Sequence, residues 1–77
     1  MSTALEWMHP GDQRILRCLE DHSPEYAAIV ANRSGMAPGY VERRLEVLSE
    51  SGFVDRGTDG VVCGLSERGE RYLQTEE

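Results

Sequence analysis

Gly35 separates two short stretches of helical character, and no other feature of this 77-residue chain constrains its fold as strongly. Upstream, positions 24–34 are rich in Ala, Ile and Val and predict a helix. It stops at glycine, the residue type that best tolerates the left-handed conformation ending helices. Downstream, Val41, Leu45 and Leu48 recur at the four-then-three spacing of one helix face, which predicts a helix over 38–51. At about 100° per residue, Leu45 and Leu48 fall within roughly 40° of Val41, whereas Gly39 and Arg43 lie near the opposite side. Arg43 is therefore expected to face outward.

Two helices joined through Gly35-Met36-Ala37 form a helix-turn-helix. This arrangement holds the second helix at a steep angle, where its N-terminal half enters a DNA major groove. A preceding helix is predicted over 10–22, with Pro10 at its first position and Asp12 in the first turn, where the helix dipole favours an anion. Ile15, Leu16 and Leu19 form its apolar stripe, and His9 takes the cap position, for which histidine is poorly suited. Ser23, Pro24 and Glu25 read as cap, first residue and first-turn carboxylate of the helix over 24–34, in which Val30 and Ala31 are expected to be buried. Ala37 offers the helix over 38–51 no capping side chain. The uncapped amide either costs about 0.5–2 kcal/mol or stays free for a phosphate oxygen.

That helix stops at Ser51-Gly52. Positions 53–56 and 61–65 then alternate around a turn at 57–60, which predicts a β-hairpin over 53–65 with Val61, Cys63 and Leu65 on one face. Ser66 caps a last helix over 67–75, whose Tyr72 and Leu73 return to the core. The expectation is a single α+β domain over 1–77: a three-helix core, a two-stranded hairpin and a C-terminal helix.

Fourteen acidic residues against eight basic ones give a net charge of −6, and every basic residue is arginine. Such a chain is repelled by DNA at ordinary ionic strength. In molar salt the Debye length falls to about 3 Å and only close contacts count, so the acidic, lysine-free composition points to a salt-loving archaeal cytoplasm. No apolar run approaches the ~20 residues needed to cross a bilayer, and no signal-like N-terminus is present. Cys18 and His22 lie four apart on a helix, but without closely spaced ligand pairs they read as packing residues rather than a metal site. No catalytic constellation, phosphate loop or cofactor motif occurs, and a chain this short leaves little room for an effector pocket.

The order of elements, together with Val30-Ala31, Gly35-Met36, Val41, Leu45, Leu48 and Gly52-Phe53-Val54, resembles the core spacing of winged helix-turn-helix DNA-binding domains. Leu65-Ser66-Glu67-Arg68-Gly69 is similar to that family's strand-to-helix signature. With Trp7-Met8, Asp12 and Ile15-Leu16 added, residues 7–73 resemble the phage phi-H repressor-like regulators of salt-loving archaea. The resemblance implies a sequence-specific, repressor-like transcriptional regulator. Its helix over 38–51 would lie in the major groove, and its 57–60 wing, carrying Thr58, would touch the flanking backbone.

Within that frame Pro38, Gly39, Tyr40 and Arg43 are the groove candidates. Arginine bonds guanine bidentately, tyrosine reaches phosphate, and glycine permits close approach. A plain alternative for Arg43 is an ion pair with Glu46. Arg44 sits nearer the buried edge, where it snorkels along the core to reach either a phosphate or a carboxylate. Arg33 and Arg56 are phosphate candidates or ordinary surface charges. Glu42, Glu46 and Glu50 form an acidic stripe that restricts docking to the helix's N-terminal half. Trp7 is expected to dock on the domain, and apolar residues near the termini (Leu5, Trp7, Tyr72, Leu73) are candidates for pairing two copies into a homodimer on double-stranded DNA. The competing reading is a winged-helix protein–protein interaction module using Tyr40, Val47, Trp7 and the acidic stripe.

Overall fold

The chain runs through α1 (Pro10–His22), β1 (Glu25–Tyr26), α2 (Ala27–Ser34), α3 (Pro38–Glu50), β2 (Val54–Arg56), β3 (Val62–Leu65) and α4 (Glu67–Glu76). These elements come from a computed structural model that describes residues 6–57 and 62–76. Leu5, Thr58, Asp59, Gly60 and Val61, which carry several of the sequence expectations, lie outside the described residues.

Each helical stripe read from the sequence faces one shared core. Ile15, Leu16 and Leu19 of α1, Val30 and Ala31 of α2, and Val41, Leu45 and Leu48 of α3 are all buried, joined by Phe53, Val54, Cys63, Tyr72 and Leu73. Full burial of a Leu, Val or Phe side chain stabilises by roughly 1.5–3 kcal/mol, so this one cluster supplies most of the driving force of a small domain. Burial of Tyr72 and Leu73 also removes both from the set available to pair two copies. Trp7 docks as expected, its ring 6.0 Å from that of Phe53, and remains 38% exposed.

The helix ends use local chemistry. Gly35 adopts φ 73°, and the Met36 N–H donates to the Ala31 carbonyl (3.1 Å), closing the end of α2 in a left-handed cap. Gly52 adopts φ 85° and turns the chain out of α3, with the Phe53 N–H donating to the Leu48 carbonyl. The Ser66 hydroxyl accepts from the Gly69 N–H (3.0 Å) and donates to the Gly52 carbonyl (2.6 Å), so it caps α4 and ties that helix to the α3–β2 corner.

Two expectations need correction. The sheet has three antiparallel strands in the order β1-β3-β2 rather than a two-stranded hairpin alone, because Glu25 pairs with Cys63 and Tyr26 with Val62 on the free edge of β3. The second helix consequently begins at Ala27, not at position 24. Ser23 does not cap it: the Ser23 hydroxyl accepts the Leu65 N–H instead (3.0 Å). Local cap signals lost to long-range pairing, because the strand satisfies backbone groups of β3 that would otherwise need other partners.

Two glycines behave oppositely. A Cβ at Gly69 would collide with the Phe53 carbonyl and the Leu65 side chain, whereas a Cβ at Gly39 meets nothing within 4 Å. Gly69→Ala is therefore expected to destabilise by about 1–3 kcal/mol through overpacking. Gly39→Ala should stabilise by roughly 0.5–1 kcal/mol, the usual helical gain. Thermal or urea melts of both variants check this, and equal effects of one sign would contradict the packing described.

Candidate nucleic-acid interface

The outward face of α3 is built by subtraction. Val41, Leu45 and Leu48 enter the core, and Gly39, Glu42, Arg43 and Glu46 are left on the far side, where they line a cleft completed by Arg56 at the end of β2. Pro38 starts α3 without a side-chain cap from Ala37, and both residues are exposed. Arg43 makes no ion pair among the described residues, so its alternative pairing with Glu46 is not formed. Arg56 lies opposite Cys63 in the sheet register. Burial pushes the Cys63 thiol above its ordinary pKa, partly offset by the charge of Arg56 and a hydrogen bond from it. The cleft therefore brings two guanidinium groups and two carboxylates around a glycine.

Residues 40 and 44, one turn apart, occupy another face, which is seated on the N-terminus of α1. Arg44 Nε and one terminal nitrogen bond the two oxygens of Asp12 at 2.8 and 2.7 Å, and the same terminal nitrogen donates to the Trp7 carbonyl at 3.2 Å. The Asp12 side chain is 0% exposed and that of Arg44 11%. The hydrogen bond to Asp12 raises the Arg44 pKa further above its already high ordinary value, against the opposing effect of burial. Asp12 also accepts the His9 N–H at 2.9 Å, which supplies the poorly capped start of α1 with a carboxylate. Tyr40 lies across Gly11: a Cβ there would come within 2.9 Å of the tyrosine ring and hydroxyl. The Tyr40 hydroxyl is 3.1 Å from His9 Nδ1, and the two rings stack at 6.2 Å.

The architecture is a helix, a short strand, a second helix, a glycine turn, a third helix with a free outer face, and a two-stranded wing base leading to α4. The whole chain, residues 1–77, matches the winged helix-turn-helix phage repressor family. The chain belongs to that family.

Solved structures agree. The PhiH1 repressor-like protein from Haloarcula marismortui is 26% identical, with 96% of this chain and 85% of that one covered, at a TM-score of 0.84. RV1404 from Mycobacterium tuberculosis is 22% identical at a TM-score of 0.80, covering 87% of this chain but 49% of its own, so the chain spans about half the length of that relative. The Zβ domain of human DAI, whose structure is described with its binding modes to B- and Z-DNA, is 20% identical at a TM-score of 0.70, with 87% and 97% covered. At those last two identities the likeness is one of fold. No curated protein sequence matches significantly. The family is one of DNA-binding transcription regulators, and no helix among the described residues is long and apolar enough to cross a membrane.

In this winged-helix domain the sequence candidates divide. Gly39, Arg43 and Arg56 share the cleft. Arg44 is not in it, having reached a carboxylate, and Tyr40 is turned onto α1. Pro38 lines a separate shallow hollow with Gly35 and Met36. Arg33 lies at the end of α2, in a different groove, 3.8 Å from Glu25. Thr58 lies outside the described residues. The sequence reading missed the role of Asp12, although a signal existed. Asp12, Ile15, Leu16 and Leu19 stand at i, i+3, i+4 and i+7, so the carboxylate belongs to the buried stripe and demands a buried cation.

Removing one member of this pair leaves the other charge buried and alone. Asp12→Leu is expected to cost about 3–5 kcal/mol, whereas adding Arg44→Met to it should recover most of that loss. Urea melts of the single and double variants give the coupling, and a fully additive cycle would show that the pair contributes no interaction.

Proposed function

We propose that the chain is a sequence-specific, repressor-like DNA-binding regulator that presents the outward face of α3 to the major groove. The observation that carries this reading is the cleft in which Arg43 and Arg56 converge around Gly39. Arg43 is exposed and free of ion pairs among the described residues, so its guanidinium keeps its full bonding capacity for a base edge or a phosphate. Gly39 contributes no side chain at the point of closest approach, Pro38 beside it starts the helix, and the uncapped backbone amides of the first turn of α3 are donors suited to a phosphate. Arg56 and the wing residue Thr58 serve the adjacent backbone in this reading, with no cofactor or metal involved. The acidic, lysine-free composition fits a cytoplasm of molar salt, where the charge of −6 is screened within about 3 Å.

Arg43→Ala is expected to cost about 1–3 kcal/mol of binding and to relax preference at one base position if the contact is to guanine. A phosphate contact would instead weaken all sequences alike and lower the salt slope by about one. Stability should move by no more than about 0.5 kcal/mol, since the side chain is exposed. The measurement is a titration of wild type and variant against a duplex selected by the protein from genomic DNA, and against its scrambled counterpart, across several salt concentrations. Unchanged affinity for both duplexes removes Arg43 from the interface. That outcome transfers weight to the protein-contact module, which Glu42 and Glu46 in the same cleft would favour.

We also propose a homodimer, because two-fold regulators read paired half-sites. Tyr72 and Leu73 lie in the core, so of the candidates near the termini Trp7 is the one that stays exposed among the described residues. Light scattering in molar potassium chloride should return twice the monomer mass, and Trp7→Ala should shift it toward monomer. A monomer at high protein concentration would refute the dimer.

A further inference from the structure

Three of the eight arginines meet in a second groove, between α1 and the last turn of α2. Arg14, Arg17 and Arg33 line it together with Cys18, Asp21 and Ser34, and it shares no residue with the α3 cleft. On α1 the positions are spaced so that Arg14, Arg17 and Asp21 project from the face opposite Ile15 and Leu19. Three guanidinium groups therefore stand against one lining carboxylate, on a chain whose net charge is −6.

Structural ion pairing consumes only part of this charge: Arg17 stands 3.5 Å from Glu20, in a pair whose side chains are both exposed and solvent-screened. Arg14 makes no ion pair among the described residues. Arg33 Nε stands 3.8 Å from Glu25, and its side chain is 45% exposed, which makes the pair long and solvent-screened. Guanidinium forks are suited to bidentate recognition of phosphate and carboxylate oxygens.

We propose that this groove is an anion-binding site for a phosphate-type group, supplied either by a free small anion or by a DNA backbone phosphate outside the α3 contact. Arg14 and Arg33 grip the oxygens from the two helices. Only the DNA source rests on the DNA-binding reading above; the free-anion source stands without it.

The test uses the 15N-labelled protein titrated with inorganic phosphate at constant ionic strength. Saturable shifts are expected at the amides of 13–18 and 33–35, with phosphate affinity lowered about tenfold or more in Arg14→Ala and in Arg33→Ala. Both residues are exposed, so the variants should stay folded. A second arm measures DNA affinity of Arg14→Ala against salt. A slope reduced by about one identifies the DNA backbone as the source, whereas saturable phosphate binding with an unchanged slope identifies a free anion. Non-saturating shifts spread over the whole protein, or wild-type phosphate affinity in both variants, together with an unchanged DNA slope, would overturn the proposal. If the protein binds no DNA at all, the DNA-binding reading fails and the phosphate arm alone decides the groove.

Discussion

The buried ion pair between Asp12 and Arg44 is the constraint on which the geometry of α3 depends. Taking two charges out of water carries a penalty that Coulomb attraction alone does not always offset. Here further hydrogen bonds add to that attraction. The His9 N–H supplies Asp12 with a third donor, and the Trp7 carbonyl accepts from Arg44. Because residues 40 and 44 are one helical turn apart, the same face that delivers Arg44 to Asp12 also lays Tyr40 over Gly11 and against His9. The rotation of α3 about its axis is thereby set. Arg43, about 100° from Arg44 on the helix, is directed outward as a consequence of where its neighbour is held.

A second dependence runs through β3, which lies between two short strands and could not be satisfied by either alone. β1 and β2 pair along its two edges, and the Ser23 hydroxyl takes the N–H of Leu65. The result joins the chain before α2 to the base of the wing. The angle at which α2 enters the helix-turn-helix is consequently tied to the sheet as well as to helix packing. Ser66 extends this coupling by bonding Gly52 and Gly69 together, which places α4 against the corner that ends α3.

The arginines are divided by the fold in a way that the net charge conceals. Arg44 is internal. Arg43 and Arg56 share the α3 cleft, and Arg14, Arg17 and Arg33 share the groove on α1 and α2. Arg68 lies over the Phe53 ring at 5.0 Å, and Arg71 stands 4.0 Å from Glu67. A partner that approaches within a few ångströms meets these local arrangements rather than the overall charge of −6. The longer-range acidic field matters most where salt is low.

What the sequence determined by itself was everything carried by short spacing: the apolar stripes of α1 and α3, the left-handed stop at Gly35, the Ser66 cap, and the outward angle of Arg43. These depend on neighbours three or four residues away, so periodicity and cap chemistry suffice to reveal them. Tertiary structure alone decided that Glu25 and Tyr26 form a strand, that Tyr40 turns onto α1, and that Arg44 reaches a carboxylate rather than a phosphate. In each case the deciding partner lies 31 or more residues away in the chain: Cys63 for Glu25, His9 for Tyr40 and Asp12 for Arg44. A local pattern specifies which face is buried, but only the packed molecule specifies what that face meets.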